Sequence, residues 1–216
     1  MLVHIIADYG PGDLAFAEVA QKIKLHLPDA EPVLTPVPAF STLAAGFCIA
    51  QLGLNAAPAG TLVYHNVAPR QDDESARSGN AGERLAFARL TTGVRVIGVN
   101  AGSAYSFVRD VAEELRWVAV SAEGSQFRSR DLFPAAAADV ALGKPGALAG
   151  KIAKTEIPGI PERQIAYIDG YGNIKTTISA IELPKAGTRL RVHINGAAQT
   201  AICSDSSFEV DPGQLA

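Results

Sequence analysis

The chain has 216 residues, with 19 Lys and Arg against 22 Asp and Glu, a formal charge of −3. That balance argues against a dedicated nucleic-acid binder, which carries a basic excess. Hydrophobic residues make up 48% and charged residues 19%, so the chain can bury a sizeable core, and no apolar run reaches the roughly 18 residues of a membrane helix.

Residues 2–7 form a short apolar run that ends in Asp8-Tyr9-Gly10-Pro11-Gly12-Asp13. The pattern predicts a core strand and a turn rather than a signal peptide. Leu14, Ala17, Ala20, Ile23 and Leu27 then recur at helical spacing. Asp13 is a good N-cap for this helix and Pro28 a good stop. Residues 32–38 read as extended, and 42–54 as an Ala-rich, buried helix. A strand follows over 60–67. Residues 70–83 gather charges and glycines and read as an exposed, mobile loop. Residues 84–90 and 94–99 predict a strand pair, 106–115 a helix, 117–120 a strand and 131–142 a helix ended by Gly143-Lys144-Pro145-Gly146. After about residue 155 only strand-like stretches recur, at 165–169, 174–178, 189–194 and 200–203. The expected architecture is an α/β domain with a central sheet, residues 1–155, and a small all-β, barrel-like domain, residues 156–216. Cys48 and Cys203 lie far apart in sequence and read as free thiols of a cytoplasmic protein.

Three stretches can carry chemistry. Asp8 ends a first strand in a glycine-rich turn, the usual ligand edge of an α/β sheet, where a carboxylate can hold ribose hydroxyls or simply shape the turn. The turn is neither a dinucleotide fingerprint nor a P-loop. Ser125 to Phe133 places hydroxyls, an amide and an aromatic before a helix. That can hold an anion or a polarised water, or can amount to capping with a surface Arg130–Asp131 pair. Asp169-Gly170-Tyr171-Gly172-Asn173 is first a hairpin signal, yet Tyr171 could meet a flat ligand and Asn173 a base edge. His4, His26, His65 and His193 have no metal-ligand spacing and read as core or surface residues.

Together these stretches resemble the S-adenosylmethionine hydroxide adenosyltransferases, relatives of the fluorinating and chlorinating adenosyltransferases. Ala7-Asp8-Tyr9-Gly10-Pro11-Gly12-Asp13 resembles the family's Thr/Ser-Asp-Phe/Leu-Gly-x-x-Asp opening. Ala57-Pro58-Ala59-Gly60-Thr61-Leu62 resembles its Phe-Pro-x-Gly-Thr-Val, and Gly98-Val99-Asn100-Ala101-Gly102 its Gly-Pro-Asp-Asn-Gly. The run from Phe127 to Ala137 resembles Phe-His-Gly-Arg-Asp-Ile-Phe-Ala-Pro-Ala-Ala, and that from Ile168 to Ile178 resembles Ile-Asp-x-Phe-Gly-Asn-x-x-Thr-Asn-Ile.

The resemblance implies hydrolysis of S-adenosylmethionine to adenosine and methionine, by in-line attack of water at C5′. Asp8 is then expected to hold the ribose hydroxyls and Asp169 the methionine ammonium. Tyr171 stacks on adenine, Asn173 bonds its edge, and Phe127 and Ser129 line the reaction centre. The implied protein is a homotrimer with shared sites, and no metal or redox cofactor is required. The sequence departs at the reacting groups. The family's Asp-Pro falls on Ala68-Pro69 and its His on Arg128, and Arg70 or Arg77 can match its arginine. Arg128, Ser129, Arg70 and Arg77 are therefore the catalytic candidates. The alternatives are a binding protein that keeps the nucleoside pocket without turnover, and action on another adenosyl compound with arginines facing an anion.

Overall fold

A computed structural model describes residues 1–67, 84–121, 127–178 and 184–206, with 211 and 215. It divides into two compact units, Met1–Thr177 and Ile178–Ala216.

The first unit is α/β. Strand β1 (Leu2–Ala7) leads into helix α1 (Leu14–His26), strand β2 (Glu31–Pro36), helix α2 (Thr42–Leu54) and strand β3 (Leu62–Asn66). Strands β4 (Leu85–Leu90), β5 (Arg95–Val99) and β6 (Ala112–Val118) follow, then helices α3 (Arg128–Asp131) and α4 (Phe133–Ala141) and strand β7 (Leu148–Lys151). A hairpin of β8 (Ile165–Ile168) and β9 (Ile174–Thr176) completes the unit. The seven-stranded sheet runs β2-β1-β3-β5-β4-β6-β7. Its β2, β1, β3 and β5 are parallel, while β4, β6 and β7 add on antiparallel.

Local chemistry explains the first half. The Asp13 carboxylate accepts from the Ala15 amide at 2.9 Å and caps α1, as the sequence predicts, and Ser41 caps α2 by accepting from the Ala44 amide at 3.2 Å. Alternation along the strands splits the core between the two sheet faces. Val3, Ile5 and Tyr64 pack with α1 and α4 on one face, whereas Ile6, Val63 and Val96 pack with α2 on the other.

Two predicted elements are corrected. Residues 106–115 are not a helix. The chain there makes a run of overlapping turns, such as Val108 N to Tyr105 O and Val111 N to Val108 O, that never settles into a helix, and it enters β6 at Ala112. Strand pairing overrides the helical spacing: β6 aligns with β4, Phe87 opposite Arg116 and Arg89 opposite Glu114, and Arg89 pairs with Glu113 at 2.7 Å. The helix expected over 131–142 is broken at Leu132 into α3 and α4, because Pro134 has no amide to continue the ladder. The β8–β9 hairpin belongs to the first unit, so the division falls at 177/178 rather than at the expected 155/156. Its Tyr167 ring stacks on Phe47 of α2 at 5.6 Å, and Ala166 is buried.

In the second unit the described residues form a hairpin of β10 (Arg189–Ile194) and β11 (Ala197–Ile202). Asn195 and Gly196, with φ of 48° and 81°, form the left-handed two-residue loop that matches strand twist. Both cysteines are free, and burial pushes the Cys48 thiol up to about 11. No helix among the described residues is long and apolar enough to cross a membrane.

Candidate functional site

Four parallel strands point their carboxyl ends to one edge, and the first sequence candidate stands there. Asp8 follows β1 directly and is half-buried. Its Oδ2 accepts from the Phe40 amide at 3.0 Å, which ties the β2–α2 connection over the edge. No hydrogen bond among the described residues uses Oδ1. Phe40 holds a φ of 59°, a left-handed conformation that costs a non-glycine residue about 1–2 kcal/mol and needs such an anchor.

Tyr9 lies beside Asp8. Its hydroxyl accepts from Asn66 Nδ2 at 3.0 Å and interacts with the Ser129 side chain. Burial raises the Tyr9 phenol above its ordinary range, against those two hydrogen bonds, and the nearby Asp8 and Asp13 add to the rise. Tyr64, fully buried on β3, donates its hydroxyl to the Ser129 carbonyl at 3.0 Å. Burial, with Tyr9 nearby, pushes that phenol well up too. Two neutral phenols thus join the ends of β1 and β3 to α3, bringing Asp8 and Ser129 into one cluster.

Arg128 and Arg130 both sit on α3, in different states. Arg130 is bidentate to Asp131, at 2.7 and 3.0 Å, and reaches Glu18 at 3.4 Å, with its guanidinium 4.9 Å from the Phe127 ring centre. This is the surface pair that the sequence offered as the plain alternative for the stretch. Arg128 has no carboxylate within ion-pair distance among the described residues. Its Nη1 donates to the Ser121 carbonyl at 3.2 Å, the Phe133 ring lies 5.5 Å away, and its Nε is buried without an acceptor. Phe127 is 57% exposed.

The third stretch folds on itself. Asp169 Oδ1 accepts from the Tyr171 and Asn173 amides, both at 2.9 Å, and Oδ2 from Asn173 Nδ2 at 2.7 Å. The Asn173 side chain, the two amides and Lys175 hold the Asp169 carboxyl below its ordinary range. Tyr171 is 96% exposed. The hairpin reading of this stretch is correct, and its polar groups serve the turn. Arg70, Arg77 and Ala68 lie outside the described residues.

One residue behind the edge is fully buried. His65, next to Asn66 on β3, lies against Gly98 of β5 and edge-on to Tyr105 at 5.2 Å. Neither ring nitrogen has a hydrogen-bond partner, and burial lowers its pKa to about 3, so the ring is neutral. It is a core histidine, one of the two roles, core or surface, that the sequence left open for it. Among the described residues no group of His, Cys, Asp and Glu could hold a metal.

Sequence reasoning missed Tyr9, Tyr64 and Asn66 as site-building residues. The signal for Asn66 was its position at the carboxyl end of a parallel strand; the phenols gave none, since their partner Ser129 lies 65 residues from Tyr64.

No family model and no curated protein matches this chain. Solved structures do. A conserved protein from Thermotoga maritima, described as uncharacterized, is similar over 98% of this chain and 86% of its own, with a TM-score of 0.77 and 17% identity. A conserved hypothetical protein from Thermus thermophilus is similar over 94% of this chain and 82% of its own, with a TM-score of 0.64 and 17% identity. At such identities the likeness establishes the fold alone.

Proposed function

We propose that this chain binds an adenosyl nucleoside at the carboxyl edge of its first-unit sheet, and that the reaction served there is hydrolysis of S-adenosylmethionine at C5′. The observation that supports it is Asp8. Its Oδ2 is anchored on the Phe40 amide while Oδ1 remains for a ligand, at the edge where α/β sheets take theirs. A carboxylate so held can accept from both hydroxyls of a ribose.

The chemistry asks little of the protein. The sulfonium leaves as a neutral thioether, so no general acid is needed. The nucleophile has only to be held in line and partly dehydrated. Ser129, backed by Tyr9, would orient the water. The proposal places Tyr171 and Asn173 of a second copy over the adenine, in a homotrimer, since the Tyr171 ring is left uncovered within one chain. Asp169 would meet the methionine ammonium there. The substrate would place the protein in the cytoplasm.

A specific observation favours a second reading, in which the nucleoside binds with slow or no turnover. The groups that touch Ser129 are phenols pushed upward by burial, which are not bases at neutral pH, and Asp8, the carboxylate of the cluster, is assigned to the ribose. General-base help is typically worth 10²–10⁴-fold. Purified protein mixed with S-adenosylmethionine, with adenosine followed by chromatography from about pH 6 to 9, separates the two. Slow release that climbs with pH is expected, as hydroxide replaces the missing base. Fast release that is flat across the range contradicts the absence of a base, and no release at any pH leaves the binding reading alone.

A further inference from the structure

We infer that the site takes a nucleoside with an anionic group at its 5′ position in preference to one that is neutral or cationic there, with Arg128 as the group that selects it. This rests on the reading of Asp8 as the ribose ligand and on that part of the proposed function alone; it favours an adenosyl compound with a 5′ anion over the sulfonium of S-adenosylmethionine, so the hydrolysis reading and this inference are tested apart.

Among the described residues Arg128 is an uncompensated cation. Its neighbour Arg130, two residues on, spends its charge on Asp131 and Glu18. Arg128 meets the Ser121 carbonyl and the Phe133 ring, neither of which carries charge. Its Nε–H is shielded from water and has no acceptor, which is costly for a guanidinium and is relieved by any anionic oxygen that reaches it. A phosphate suits the planar fork, because two parallel N–H groups can meet two oxygens.

The position is also right. Ser129, next in the chain, interacts with the Tyr9 side chain, and Tyr9 follows Asp8 directly. A ribose held by Asp8 lies on the side of the sheet edge where α3 docks through Tyr9 and Tyr64, and in the inferred pose its 5′ end turns toward Arg128. The Tyr9 phenol accepts from Asn66 Nδ2, and its contact with the Ser129 hydroxyl favours the phenol's charged form, as a bond donated to it does. Arg128 is then the group on α3 left to meet charge on a ligand. A cation on that side of the ribose favours negative charge there and opposes a sulfonium or an ammonium.

Calorimetric titration of the full chain with adenosine, adenosine 5′-monophosphate and 5′-amino-5′-deoxyadenosine tests this. The monophosphate should bind at least about tenfold tighter than adenosine, the equivalent of about 1.4 kcal/mol, and the amine should bind weakest. Added salt should narrow the spread. In Arg128→Gln the monophosphate-to-adenosine ratio should collapse toward one, and Arg128→Lys should restore part of it. Should Arg128→Gln fail to fold, the wild-type ranking and its salt dependence decide. Adenosine binding that equals or exceeds monophosphate binding overturns the inference and leaves the nucleoside reading standing. Binding of none of the three overturns both.

Discussion

The carboxyl edge of the sheet and the β8–β9 turn both present an aspartate, a tyrosine and an asparagine, and the sequence pointed to each as a site. Their physics differ. At the edge, Asp8 reaches Phe40, Tyr9 reaches Asn66, and Tyr64 reaches Ser129, so every bond spans more than thirty residues of chain. In the turn, Asp169 satisfies amides two and four residues ahead. The bonds of Asp169 and Asn173 are thus accounted for within one chain by the hairpin they close, and the exposed Tyr171 ring is the part of the turn they leave for a second copy. The edge needs segments that fold together, and a local role explains none of them. Residue identity in a motif is therefore weak evidence of a site until the range of its partners is known.

Glycine substitutions give the largest contrast. At Gly98, behind the edge, any Cβ would run into the buried His65 ring, whereas at Gly172 a Cβ meets open space and only the φ of 89° is unfavourable. Gly98→Val should cost about 3 kcal/mol, at the upper end of overpacking, and Gly172→Ala about 1–2 kcal/mol. Urea unfolding reads both, and equal losses would erase the distinction.

Acid should also find the edge first. His65 titrates near pH 3 when folded and near 6.5 when unfolded, so below 6.5 the unfolded state binds the extra proton. Stability is then full above about pH 6.5 and falls progressively as the pH drops toward 3. Between about pH 7.5 and 4.5 this group alone accounts for about 2–3 kcal/mol. The depressed Asp169 carboxyl works in the same direction but lower. Its contribution is lost only as the pH falls from its ordinary value through its folded one, and full exposure screens it. A His65→Phe variant should lose less stability than wild type over that interval. Parallel pH profiles for the two proteins would remove His65 from the account.

A smaller effect sharpens the role of the phenols. Tyr9→Phe leaves Asn66 Nδ2 without its acceptor and Ser129 without its neighbour, and should cost about 1 kcal/mol. Unchanged stability would mean that water replaces the hydroxyl and that the edge is looser than described.

The sequence carried what is local. β1, α1, α2 and β3 follow from apolar spacing and from the Asp13 cap, and Asp8 was found because strand, turn and helix together mark a ligand edge. Glu113 to Leu115 read as helix because their extended pairing depends on β4, more than twenty residues earlier. Likewise, Tyr64 in sequence is one more strand aromatic, and only the docking of α3 gives its hydroxyl a partner. The Arg130–Asp131 pair was legible from adjacency, whereas the reach of Arg130 to Glu18 on α1 and the lack of a carboxylate at Arg128 among the described residues were not.

The central claim is that the carboxyl edge holds a nucleoside through Asp8. Calorimetric titration of adenosine into wild type and Asp8→Ala tests it most directly. A carboxylate accepting from ribose hydroxyls makes charge-assisted hydrogen bonds worth about 1.5–3 kcal/mol each, so Asp8→Ala should weaken adenosine by at least about tenfold, while Asp169→Ala, whose proposed partner is an ammonium that adenosine lacks, changes it less. Equal affinities for wild type and Asp8→Ala would contradict the account.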